Sequence, residues 1–167
     1  MKNIIIILLS LLTISSYGQS ELEIKIFKYF NDYRVENGVN PLKFDYKVFL
    51  AAQHHNNYLN DNGYPYNYNF YNGHREKELV YVSDRVKEYG TTTLLSSGEC
   101  IAYVFRAIKQ SDESLLMDVI KLWDKSPTHK EIMLLGNIDV GGISVLQLFD
   151  SKGDYFLVTL NVVNISD

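Results

Sequence analysis

Val140-Gly-Gly-Ile-Ser-Val-Leu-Gln-Leu-Phe149, then Asp150-Ser-Lys-Gly-Asp154, then Tyr155-Phe-Leu-Val-Thr-Leu-Asn-Val-Val163, is the stretch that decides the fold. Two runs rich in β-branched and aromatic residues flank a short segment with turn chemistry, so they read as a β-hairpin. Everything before the hairpin has a different period. Ser20 and Glu23 form a capping-box pattern, after which Leu22, Ile26, Phe30 and Tyr33 recur at helical spacing until Gly38. Asp45 is placed to cap a second helix with Val48, Ala52, His55 and Leu59 on one face. Asp61-Asn62-Gly63 is a turn signal. A short helix is expected from Val82 to Tyr89, stopped by Gly90. Ser111 or Asp112 caps a helix carrying Leu116, Val119, Ile120 and Trp123; Ser126-Pro127 starts another, through Leu134. Ile101-Ala-Tyr-Val-Phe105 suits either a strand or a buried helical turn. Helices followed by an antiparallel hairpin define an α+β domain.

The N-terminus stands apart. Lys2 precedes an apolar run from Ile4 to Leu12, and Ser16-Tyr17-Gly18 follows. A charged start, a short apolar core and a small-x-small site describe a secretory signal peptide over residues 1–18. The run is short for a membrane span. The expectation is a single domain over residues 20–167, secreted and extracellular (or periplasmic), with no transmembrane segment once the leader is removed. A monomer is expected.

Composition narrows the function classes. The 167 residues carry a net charge of -4, so there is no basic surface for nucleic acid or anionic membrane. One cysteine, Cys100, rules out an internal disulfide. Thirteen tyrosines supply amphipathic rings that can fill a core or line a groove. Several of them cluster between Tyr64 and Tyr71, where aromatics alternate with Pro and Asn, an extended loop or edge strand. Tyr66, Tyr68 and Tyr71 are the groove candidates.

Four histidines are the candidate ligands. His55 shares the apolar face of the second helix and reads as a packed core residue, with His54 half-exposed beside it. His74 lies in a loop, Asn72-Gly73-His74-Arg75, where functional residues concentrate. His129 falls in the first turn of the helix begun by Ser126, where the helix dipole disfavours imidazolium and favours a neutral, metal-competent ring. Ser126 itself is accounted for as a cap. Glu99 enters an apolar segment, which is costly for a carboxylate without a partner. Two imidazoles and a carboxylate are a recognised zinc set with an open position, although these three are too far apart in sequence to show a spacing motif.

Taken in order, the motifs resemble the CAP superfamily (the SCP-like, or cysteine-rich secretory, antigen 5 and pathogenesis-related-1 domains), and most closely its short bacterial secreted branch. Asn31-Asp-Tyr-Arg34 with Asn40-Pro-Leu42 resembles the family opening, and Ala51-Ala-Gln-His-His55 its second helix. Gly98-Glu-Cys-Ile-Ala102 resembles Gly-Glu-Asn-Ile-Ala. Trp123-x-x-Ser126-Pro127-x-His129 resembles the Trp-x-x-Ser-Pro-x-His signature, and Asp139-Val-Gly-Gly142 with the hairpin resembles the closing strand pair. The likeness spans residues 24–163. It implies an α-β-α sandwich around a central antiparallel sheet and a cleft at His74, Glu99, Ser126 and His129. Ser126 stands where other branches carry a second Glu, and Cys100 where Asn is usual.

Two functions from different classes follow. In the first, the domain is a non-enzymatic extracellular binding module, its His/Glu cleft taking a metal ion, with zinc as the candidate, through His74 and His129, and a small apolar or protein ligand. In the second it is a zinc-dependent, peptidase-like hydrolase with Glu99 as ligand or general base. No His-Glu-x-x-His motif is present, and a fold does not establish hydrolysis. A structural or adhesion role has no sorting tail or second module to support it.

Overall fold

The computed structural model describes residues 18–64, 73–91, 93–150 and 153–165. The chain folds as α1 (Glu21–Glu36), β1 (Lys43–Phe44), α2 (Tyr46–Asp61), α3 (Val82–Glu88), β2 (Leu94–Phe105), α4 (Asp112–Lys125), α5 (Pro127–Met133), β3 (Val140–Asp150) and β4 (Gly153–Ile165). Among the described residues no helix is long and apolar enough to cross a membrane.

Local chemistry sets the helix boundaries. Ser20 and Glu23 close the capping box of α1, and Asp45 accepts from Lys47 N and Val48 N to start α2. Gly38, Gly63 and Gly90 follow the ends of α1, α2 and α3 with φ of 77°, 77° and 90°, the left-handed region that a Cβ opposes. The segment that sequence alone left open, Ile101 to Phe105, is strand: β2 runs antiparallel to β4 from Leu94 to Phe105, and β3 pairs with the other side of β4.

The sheet order is β1-β3-β4-β2. Three strands are antiparallel as expected, but β1 joins β3 in parallel, so the sheet is mixed. The connector after Pro41 is laid against the hairpin edge by Lys43 N donating to Asp139 O and Asp45 N to Gly141 O. These bonds orient the first turn of α2.

Helices cover both faces, an α-β-α sandwich. On one face Ile26 and Phe30 of α1, Leu116, Val119 and Trp123 of α4 and Met133 of α5 pack on Cys100, Ile143, Phe156, Leu160 and Val162. On the other, Val48 and Ala51 of α2 and Val86 of α3 meet Val163, and Leu59 meets Ile101 and Leu157. Gly142 lets α2 approach: a Cβ there would stand 2.2 Å from Phe49 N. Asn56 ties helix to sheet, donating to Ser144 O at 3.0 Å and accepting from Thr159 Oγ1 at 2.7 Å.

Candidate functional site

The register of β2 on β4 pairs Glu99 with Asn161. Both side chains are buried beneath α2 and α3. A carboxylate there must be matched by charge and hydrogen bonds, and Arg85 of α3 supplies the charge. Its Nη2 donates to Glu99 Oε2. The Asn161 amide, oriented to satisfy both its ends, donates to the same oxygen at 2.9 Å and accepts from Ala52 N at 3.2 Å. The other oxygen, Oε1, lies 3.0 Å from His74 Nδ1 and 3.6 Å from His55 Nε2.

A second buried carboxylate, Glu76, lies behind the first. Its Oε1 is 2.7 Å from His55 Nδ1 and 3.5 Å from Arg85 Nε, an ion-pair contact without hydrogen-bond geometry; its Oε2 is 3.1 Å from His54 Nε2. His55 Nε2 also meets Gly73 O at 2.7 Å. A carbonyl only accepts, so that nitrogen carries a hydrogen. Through these contacts α2 grips the turn that carries His74.

His74 projects from this turn with 45% of its side chain exposed. Its ring faces that of His129 with centroids 6.1 Å apart. His129 is the third residue of α5, as Ser126-Pro127 requires, and is half-buried. Burial first, and the neighbouring His74 second, lower the His129 pKa below its ordinary 6.5. The ring is therefore neutral at pH 7. His74, Glu99 and His129 line one open cleft of about 280 Å3 with Tyr81, Val82, Ser97, Gly98, Thr128 and Ile132. Gly98 keeps it open on the strand side, since a Cβ would come within 2.8 Å of Ile132 Cγ2.

Ser126 occupies the junction of α4 and α5 without a side-chain cap hydrogen bond, and Thr128 stands at the cleft wall in its place. Cys100 points to the opposite face of β2. Its thiol is buried 3.7 Å from His129 O, and burial with the adjacent Glu99 pushes its pKa up, so it is no nucleophile. Tyr66, Tyr68 and Tyr71 lie outside the described residues. No group of three or more His, Cys, Asp or Glu among the described residues is arranged to hold a metal ion. Any metal in the cleft would rely on the two imidazoles.

Sequence reasoning missed Glu76 and Arg85 and took His55 for a plain core residue. One signal was present: Arg85 sits between Val82 and Val86 on the inward face of α3, and a buried guanidinium demands a carboxylate.

The comparisons agree with this architecture. The profile of the cysteine-rich secretory protein family, CAP, matches residues 27–162. The chain belongs to that family. No curated protein matches it by sequence. Among solved structures it is similar to an extracellular protein containing an SCP domain from Bacillus anthracis, at 20% identity and a TM-score of 0.61, covering 86% of this chain and 40% of that one. An outer surface protein of Borrelia burgdorferi matches at 17% identity and a TM-score of 0.66, covering 89% and 97%. A cysteine-rich secretory protein of Staphylococcus aureus matches at 17% and 0.55, covering 86% and 38%. The chain thus spans about two fifths of the Bacillus and Staphylococcus proteins and nearly all of the Borrelia one. At these identities the likeness is one of fold.

Proposed function

We propose that this CAP domain is a secreted, non-enzymatic binding module. Its cleft takes a zinc ion between His74 and His129, and a small apolar or protein ligand over Tyr81, Val82 and Ile132. The observation that carries the reading is the engagement of Glu99. One oxygen is held by Arg85 and Asn161, the other faces His74 Nδ1. A carboxylate so committed orients the imidazole from behind, the usual outer partner of a ligating histidine, and is not poised to take a proton from water. With Nδ1 turned to Glu99, Nε2 is the ligating nitrogen of His74.

The donor set fits zinc in chemistry. His129 is neutral at pH 7, and the centroid separation of 6.1 Å is near the roughly 5–6 Å expected when two imidazoles share one ion at Zn–N distances of about 2.0–2.1 Å. Bound there, zinc would supply a Lewis-acid anchor for a ligand oxygen. With two protein donors the affinity is modest. Export is supported by the signal-peptide pattern of residues 1–18 and by the description of the Bacillus and Borrelia neighbours as extracellular and outer-surface proteins.

Calorimetry with zinc chloride tests the cleft: His74→Ala and His129→Ala should each abolish the heat of binding, and binding that survives both removes the assignment. A peptidase assay on the zinc-loaded protein should show no turnover. Turnover that disappears in Glu99→Gln would establish the hydrolase instead.

A further inference from the structure

On the outer side of α2, away from the cleft, Gln53, His54, Asn57, Tyr58 and Asp61 follow one another at helical spacing. With Tyr89, at the end of α3, they line a cavity of about 280 Å3. Its chemistry is narrow: two amides, a carboxylate, an imidazole and two phenols. Among the described residues its lining includes no aliphatic side chain and no Lys or Arg. A hydrocarbon ligand would find no aliphatic wall, and an anion no Lys or Arg among the described residues.

We propose that this cavity is a second ligand site, built for a single neutral pyranose residue of a glycan. Amides and carboxylates exchange hydrogen bonds with vicinal hydroxyls, and phenol rings offer flat apolar faces with a polar edge. The volume holds on the order of nine waters at about 30 Å3 each, the scale of one hydrated sugar ring and not of a chain. The site needs neither His74 nor His129 and stands whether or not the cleft takes zinc.

The floor is ordered in advance. Glu76, with 3% of its side chain exposed, faces His54 Nε2 at 3.1 Å. A carboxylate accepts, so Nε2 carries a hydrogen, and in the neutral ring Nδ1 is then the acceptor. Against that tautomer the Tyr89 hydroxyl, 3.3 Å from Nδ1, donates inward and offers its oxygen lone pairs to the ligand. The Tyr58 oxygen is positioned by Lys77 N, which donates to it at 3.1 Å. Groups already held by partners within the fold lose little freedom on binding, which favours a weakly held sugar. Asn57, Gln53 and Asp61 are exposed along the rim, where a glycan can enter without displacing the fold.

The test is a titration of the full chain with methyl β-D-glucopyranoside, methyl β-D-galactopyranoside and N-acetylglucosamine, followed by heteronuclear NMR. These probes differ at the 4-hydroxyl and the 2-substituent. The expected result is saturable shifts at residues 53–61 and Tyr89, with His129 unmoved, for at least one sugar at millimolar affinity. Asn57→Ala and Tyr89→Phe should each weaken that binding about fivefold to tenfold, the loss of one hydrogen bond, with the thermal midpoint of Asn57→Ala unchanged. No saturable shift with any of the three, shifts confined to the cleft, or binding indifferent to both substitutions would overturn the proposal.

Discussion

His55 and Glu76 face each other at 2.7 Å with 0% and 3% of their side chains exposed. Between them and Glu99 lies Arg85, equally buried, in contact with both carboxylates. The guanidinium is the hub of this cluster. Replacing it by Met keeps much of the volume but leaves two buried carboxylates short of charge and hydrogen bonds. Breaking a buried ion pair from one side costs about 3–5 kcal/mol, so Arg85→Met should lower the unfolding free energy by that order in urea melts. Adding Glu76→Gln and Glu99→Gln to it should recover part of the loss. A single-variant loss below about 1 kcal/mol, the range of surface pairs, would show that the cluster is not the anchor described.

The second prediction concerns the approach of α2 to the sheet. Gly142→Ala places a Cβ 2.2 Å from Phe49 N and 2.5 Å from Phe49 Cα. Both are backbone atoms that no rotamer change can move. The helix must shift, disturbing Asn56 and His55 on the same face. Overpacking commonly costs 1–3 kcal/mol, and about 3 kcal/mol or more is expected here. Gly136→Ala, with nothing within 4 Å of the new Cβ, is the control. Equal melting temperatures for the two variants would contradict the account.

These two positions mark where the sequence is legible and where it is not. Caps, helix faces and the hairpin have local signatures, and Ser20, Asp45, Ser111 and Gly38 end or begin elements where their chemistry says they should. Strand β2 was ambiguous because Cys100, Ile101 and Ala102 are all buried between two helical layers, which erases the alternation that distinguishes a strand from a buried helix. The parallel pairing of β1 has no signal in two residues. At the cleft, His74 and Glu99 could be picked out only one at a time; they meet directly at 3.0 Å, and Arg85, which holds the other oxygen of Glu99, was invisible because ionic partners in a core obey no fixed spacing. His55 was legible as buried, while the carboxylate that keeps it there comes from Glu76, 21 residues on.

Tyr33 gives a spectroscopic test of the α1–α4 contact. Its hydroxyl donates to Asp124 Oδ1 at 2.6 Å, and burial first, then that carboxylate, push its pKa up to about 12 from 10. A folded pKa above the unfolded one contributes stability that is complete below about pH 10 and is lost as pH rises toward 12. Ultraviolet titration should therefore show one tyrosine ionising near 12 that is missing in Tyr33→Phe, and the variant's stability should decline less steeply above pH 10. Identical alkaline titrations for wild type and variant would refute the contact.

His129 carries the opposite linkage. Its pKa is lowered in the fold by burial and by the facing His74, so as pH falls the unfolded chain takes up that proton first, near its ordinary value of about 6.5. Stability is then at its plateau above that value and declines as pH drops toward the lower folded pKa. His129→Gln removes the group that titrates. The difference in unfolding free energy between wild type and variant should therefore slope downward as pH falls below about 6.5 and be level above. At the proposed zinc site the ion would hold the ring unprotonated and stabilise only the folded chain, so on that proposal saturating zinc at pH 7 should raise the wild-type midpoint and leave His129→Gln unmoved. That gain should shrink on acidification, because protons compete for the same nitrogen. A difference curve that is flat across the window, or that rises on acidification, would mean that His129 does not sit desolvated beside His74.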